Sequence, residues 1–189
     1  MSRLAQETGR LLGEAVEEVA GLAQETLEAG GRLFFCGNGG SAADAQHLAA
    51  EYVVRFGRDR EALPALALTT DTSILTAVGN DMGFGAIFAR QIDALAGEGD
   101  LLFLHSTSGE SENLIQAAEA GRRRGVTTVA FLAKGGGRLR GIVDRALVVP
   151  TDSTARAQEI HLALGHAICQ VVEEKLRDRA AVRGPEGET

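Results

Sequence analysis

Asparagine is scarce in this chain. Asn38, Asn80 and Asn113 are the only ones in 189 residues, and each falls where a loop or a helix start is expected. Cysteine is scarcer still. Cys36 and Cys169 have no metal-ligand spacing and fall on faces the apolar pattern buries. This excludes a disulfide scaffold and a cysteine zinc site, and fits reduced core residues of a cytoplasmic protein. Lysine is rare, so arginine carries nearly all the positive charge, and the net charge is −7. No basic stretch is dense enough for a nucleic-acid track, so no nucleic-acid partner is expected. Arg122-Arg123-Arg124 is too short for one and reads as the cationic end of a helix. No apolar run reaches the roughly 18 residues that span a bilayer, and the first residues lack a basic-then-apolar signal pattern. No membrane partner is expected.

What is present is a core-forming composition, 44% hydrophobic, over a length that suits a single domain spanning 1–189. Leu4, Leu11, Leu12, Val16, Val19, Leu22 and Leu27 repeat at helical spacing, so a helix is expected over about 3–29, stopped by Gly30-Gly31. Strands are expected at 32–36, 65–68, 101–104, 126–132 and 146–149. Between them lie a helix to about Arg55, a short helix broken at Gly79-Asn80-Asp81, a helix to about Ala96 and one over 112–124. Lys134-Gly135-Gly136-Gly137 reads as a mobile loop before a short helical turn. A long helix over 154–177, capped by Ser153 or Thr154, precedes a tail frayed from about 178 to 189. Strands alternating with helices predict an α/β fold: a three-layer αβα sandwich around a five-stranded parallel sheet, flavodoxin-like, order 2-1-3-4-5. In that order the first and third strands are neighbours, and the loops leaving their carboxyl ends open a crevice.

Two anion-friendly loops fall on that crevice. Gly37-Asn38-Gly39-Gly40-Ser41 joins the first strand to a helix, where glycines admit a ligand to the backbone and free N–H groups face it. Taken alone, such a turn is a weak signal. Ser106, Thr107, Ser108 and Ser111 crowd hydroxyls at another helix N-terminus, more than one cap requires. Asn113 lies just inside that helix and suits either a site or a structural role. His47 and Glu51 stand four apart on one helical face, suited to proton or metal chemistry. Asp81 suits either a sugar hydroxyl or the cap of a helix beginning at Met82. The last helix carries Gln158, His161 and His166; a single histidine on an apolar helix usually packs, but two with a glutamine favour a site. His105 has no assigned role.

With these residues in view the chain resembles the sugar isomerase (SIS) domain family, most closely the phosphoheptose isomerases. The resemblance spans roughly 37–172 and rests on Gly37-Asn38-Gly39-Gly40-Ser41, Asp44-Ala45-Gln46-His47, Glu51, Gly79-Asn80-Asp81, Ser106-Thr107-Ser108-Gly109 and Gln158-Glu159-Ile160-His161 with His166. It implies interconversion of sedoheptulose 7-phosphate and D-glycero-D-manno-heptose 7-phosphate, the first step toward nucleotide-activated heptose precursors. It also implies zinc and a homotetramer with sites at subunit interfaces. Carried over by position, Asn38, Gly39, Gly40, Ser41, Glu51, Asn80, Asp81, Ser106, Thr107, Ser108, Ser111 and Gln158 contact the sugar phosphate. His47, Glu51, Gln158 and His166 ligate the metal, and Glu51 and His166 act as acid and base. Departures are His105 ahead of the serine loop and Ala155 where some members carry an acidic residue.

Gln158 and His166 are about 12 Å apart along one helix axis. The last helix of a neighbouring subunit is therefore expected to supply at least one of the four metal ligands. The alternatives are an isomerase or sensor for another sugar phosphate, and a non-catalytic relative that binds the bacterial replication initiator. The latter proteins lack the glutamate and the late histidine, and both are present here.

Overall fold

The computed structural model describes residues 2–183. Five parallel strands form one sheet in the order β2-β1-β3-β4-β5: β1 (Leu33–Gly37), β2 (Ala65–Ala67), β3 (Leu101–Ser106), β4 (Thr127–Leu132) and β5 (Arg145–Val148). This is the order expected from the alternation of elements. The apolar runs suit strands covered on both faces, because successive side chains point to opposite sides. Leu33, Phe35, Leu101, Phe103, Val129 and Phe131 join one core; Phe34, Cys36, Leu102, Leu104, Ala130 and Leu132 join the other.

The first core is covered by α1 (Ser2–Glu28), α2 (Gly40–Val53) and α6 (Thr154–Arg183), the second by α3 (Thr72–Asp81), α4 (Ala89–Leu95) and α5 (Glu112–Arg123). A ladder of Phe35, Phe103 and Phe131 crosses the first face, with centroids 4.9 and 6.0 Å apart. Both cysteines are buried and free. Among the described residues no helix is long and apolar enough to cross a membrane.

Several expected boundaries shift. Asn80 and Asp81 are not in a loop but close α3, whose N-cap is Asp71, accepting from the Ile74 N–H. Asp81 therefore caps nothing that begins at Met82. The segment expected as one helix to Ala96 starts instead as a 3-10 turn, Phe84–Ala86, because Gly83 takes φ 89° and breaks the path from α3 to α4. β3 runs on through His105 and Ser106, which pair with Phe131 and Leu132 of β4.

The segment after β4 is tied down rather than mobile. It forms 3-10 turns at Lys134–Gly136 and Arg138–Gly141, and the Leu139 N–H donates to the Gly109 carbonyl. Arg138 also bridges Glu110 and Glu112. Gly109 (φ 68°) lies so close to the Gly136 carbonyl that a Cβ would sit 1.9 Å from it. Helix α6 continues past the expected end at Arg177 to Arg183; the rest of the expected tail, 184–189, lies outside the described residues.

Candidate active site

The crevice opens where β1 and β3 lie side by side and their exit loops part, the place where open parallel sheets bind ligands. Gly39 turns the chain at φ 57° and starts α2 with no side chain capping its first N–H groups. Across the crevice Ser111 is the N-cap residue of α5, and its hydroxyl makes no capping bond. The positive ends of two helices, each with uncommitted polar groups, thus face one space. That arrangement suits an anion.

Within the serine loop, Ser106 Oγ accepts from the Gly109 N–H at 3.0 Å and Ser108 Oγ from the Glu110 N–H at 3.2 Å, so both hydroxyls keep their protons to donate. The loops are joined by a reciprocal amide pair. Asn38 Nδ2 donates to Asn113 Oδ1 at 2.9 Å and Asn113 Nδ2 to Asn38 Oδ1 at 2.8 Å. Asn113 is buried at 3% exposure, so its role is to hold Asn38. Ser41 is also buried, packed beneath Gly37. Asn80 and Asp81 are exposed and bonded to each other at 2.7 Å.

Helices α2 and α6 come together at two glycines. A Cβ on Gly40 would lie 2.5 Å from Gln158 Nε2, and one on Gly165 would lie 2.6 Å from both Leu48 methyls. The contacts Gly40 to Gln158 and Leu48 to Gly165 run in the same direction along both helices, so α2 and α6 pack parallel. Gly165 lets the backbones approach, and the next residue, His166, meets α2. Its Nε2 is 2.8 Å from His47 Nε2, and His47 Nε2 is 3.2 Å from Glu51 Oε1. One ligand atom from each of His47, Glu51 and His166 lies within 4.8 Å of the other two.

Three of the four expected ligands, His47, Glu51 and His166, are thus brought together by a single chain. Gln158 is placed against Gly40, at the start of α2, about 10 Å along the axis from His47. His161 takes no part. It is buried and bonded through Nε2 to the Leu132 carbonyl at 3.0 Å.

Burial lowers the His166 pKa, His47 lowers it further and Glu51 opposes both, so the neutral, ligating imidazole is favoured. Asp44 lies one turn before His47; burial raises its pKa, His47 opposes, and its Oδ2 has no partner. The residues fit a divalent metal. Two imidazoles and a carboxylate are a donor set that zinc, a borderline ion, takes, and tetrahedral bonds of ordinary length would set ligand atoms about 3.3 Å apart. The observed 2.8 and 3.2 Å need little adjustment.

The reading from sequence left Asn113 open between a site and a structural role, and its bond to Asn38 decides for the latter. It missed three residues. Phe56 (ring centroid 5.3 Å from His166), Arg60 and Glu173 come from a loop and a distant turn of α6, and only the fold reveals them.

Comparison with known proteins agrees with this geometry. The SIS domain family model matches residues 1–133. A phosphoheptose isomerase of Akkermansia muciniphila is 51% identical over 161 residues, 85% of each chain. One from Desulfovibrio desulfuricans is 48% identical over 96% of this chain and 90% of its own. The structure of phosphoheptose isomerase GmhA from Neisseria gonorrhoeae superposes with a TM-score of 0.86 at 43% identity, covering 91% of this chain and 92% of that one. With its sheet order, its two helix N-termini at the crevice and these likenesses, the chain belongs to the SIS domain family.

Proposed function

We propose that this protein is a phosphoheptose isomerase that interconverts sedoheptulose 7-phosphate and D-glycero-D-manno-heptose 7-phosphate. The observation that carries the reading is the convergence of His47, Glu51 and His166 where α2, the helix that leaves the glycine turn, packs on α6, in a chain that is 51% identical to a phosphoheptose isomerase. A ketose becomes an aldose when a proton leaves C1 and one is returned at C2 through an enediol. That requires a base, an acid and donors for the developing oxyanion.

Glu51 is the base in this reading and His166 the acid. Ser106, Thr107, Ser108 and Ser111 hold the phosphate together with the backbone N–H groups of Gly39 and Gly40. Asn38 shapes that turn while paired with Asn113, and Asn80 and Asp81, exposed at the end of α3, are the groups that meet sugar hydroxyls. His47, Glu51 and His166 would hold zinc, with Gln158 as the fourth ligand, supplied by a neighbouring chain in the arrangement proposed here. When bound, zinc polarises oxygen and stabilises negative charge. A carboxylate that ligates metal tightly is a weak base, so Glu51 serves as base only with a loose metal bond.

A homotetramer is part of the proposal, supported by the exposure of Met82 (57%) and Phe84 (66%) next to Asn80 and Asp81. The free buried cysteines fit a reducing, cytoplasmic setting.

The test is incubation of purified protein with sedoheptulose 7-phosphate and detection of the aldose, with zinc content measured on the same sample. Glu51→Gln is expected to lower turnover by about 10²–10⁴-fold. No aldose from the wild type refutes the substrate, and near-normal turnover in the variant refutes the role of Glu51.

A further inference from the structure

The loop after α2 contains a nearly buried ion pair that lies outside the crevice. Side-chain exposure is 16% for Arg60 and 7% for Glu173. Arg60 Nε donates to Glu173 Oε1 at 2.9 Å. Its other nitrogens donate to the carbonyls of Glu51 at 2.6 Å, Tyr52 at 2.8 Å and Glu61 at 2.9 Å. Glu51 and Tyr52 belong to the last turn of α2. Carbonyls at a helix end have few partners within the helix, and a cation there is favoured by the dipole.

Glu173 lies on α6, two turns beyond His166. It also accepts from the Phe56 N–H at 2.9 Å and the Gly57 N–H at 3.0 Å. This fixes the segment whose Phe56 ring lies 5.3 Å from the His166 ring. A guanidinium can fork to a carboxylate and to carbonyls together in a way that an ammonium cannot. The pair thus couples the end of the helix bearing His47 and Glu51 to the helix bearing His166, and braces one side of the His166 imidazole.

We infer that Arg60 and Glu173 are positioning residues: their buried ion pair sets the separation of His166 from His47 and Glu51, and so the metal affinity and turnover of the site. The inference deepens the isomerase reading and rests on it for the activity readout. Neither residue touches the crevice, so the substrate's phosphate contacts are untouched when the pair is altered.

The test uses full-length protein carrying Glu173→Gln, which keeps the side-chain shape and removes the charge, and the double replacement Arg60→Met with Glu173→Leu. The double change avoids leaving an unpaired buried charge. Folding is checked by circular dichroism and thermal melting, and all other measurements are made well below the melting range. Zinc affinity, measured by chelator competition, is expected to weaken about 10–100-fold, as for partners that orient metal ligands. Turnover number is expected to fall with it, and KM for sedoheptulose 7-phosphate to change less than about twofold. Cross-relaxation between the His47 and His166 ring protons in metal-free protein, expected in the wild type, should weaken in either variant.

A folded variant that melts lower but keeps wild-type zinc affinity, turnover and ring contact overturns the inference, because the pair would then be structural only. If the double replacement does not fold, Glu173→Gln is judged by the same measurements. If the wild type neither binds zinc nor isomerises the sugar, the isomerase reading fails instead. The ring contact then decides the positioning role: loss in the variant supports it and persistence refutes it.

Discussion

His105 gives the sharpest stability prediction. It is fully buried on β3, stacked at 4.5 Å and 9° on Phe131, and neither ring nitrogen has a partner. Burial, reinforced by nearby His161, lowers its pKa to about 3. An unfolded histidine titrates near 6.5. Below that value the unfolded chain binds a proton that the folded chain refuses, so stability falls as pH falls, until the folded-state value near 3 is reached. Integrating between pH 7 and pH 5 gives a loss of about 2 kcal/mol from this residue alone.

His105→Leu removes the titration, and the other acid-sensitive groups remain as a common background. Urea unfolding of both proteins at pH 7 and pH 5, at one fixed protein concentration, isolates the difference. The wild type is expected to lose about 2 kcal/mol more than the variant. Equal losses in the two proteins would refute the argument. The variant is also relieved of two unpartnered nitrogens, each costing about 1–3 kcal/mol when buried. Lost stacking offsets part of that gain, so the pH dependence is the decisive measurement.

Gly109→Ala should destabilise the fold by more than about 2 kcal/mol, since it combines a left-handed φ of 68° with a backbone clash at Gly136; denaturant unfolding reads this. Asn113→Leu leaves the Asn38 amide without its partner and should raise KM for the phosphorylated sugar several-fold, with a smaller change in melting temperature. An unchanged KM would show that Asn38 needs no partner. Ser108→Ala should weaken binding of inorganic phosphate while leaving the unfolding midpoint close to wild type, and titration calorimetry is the check.

The order of elements, the layers and the place of the crevice were legible in the sequence by itself. Apolar runs of strand length, alternating with helix-spaced patterns, admit few topologies, and the two anion-friendly loops follow the two strands that such a sheet makes neighbours. His47 and Glu51 were legible as a pair because helix geometry places residues four apart on one face. What the sequence could not supply was the approach of one helix to another. Gly40 and Gly165 look like any glycines until α2 and α6 are packed, and that packing alone brings His166 to His47 within a single chain. Asn80 and Asp81 were misplaced because a Gly-Asn-Asp run breaks helices on average, whereas here its three residues form the last turn of one. Arg60 and Glu173 are 113 residues apart, and no local pattern connects them. Their pairing follows from a helix end whose carbonyls need a donor and a neighbouring helix that presents a carboxylate there, and only the tertiary structure places the two together.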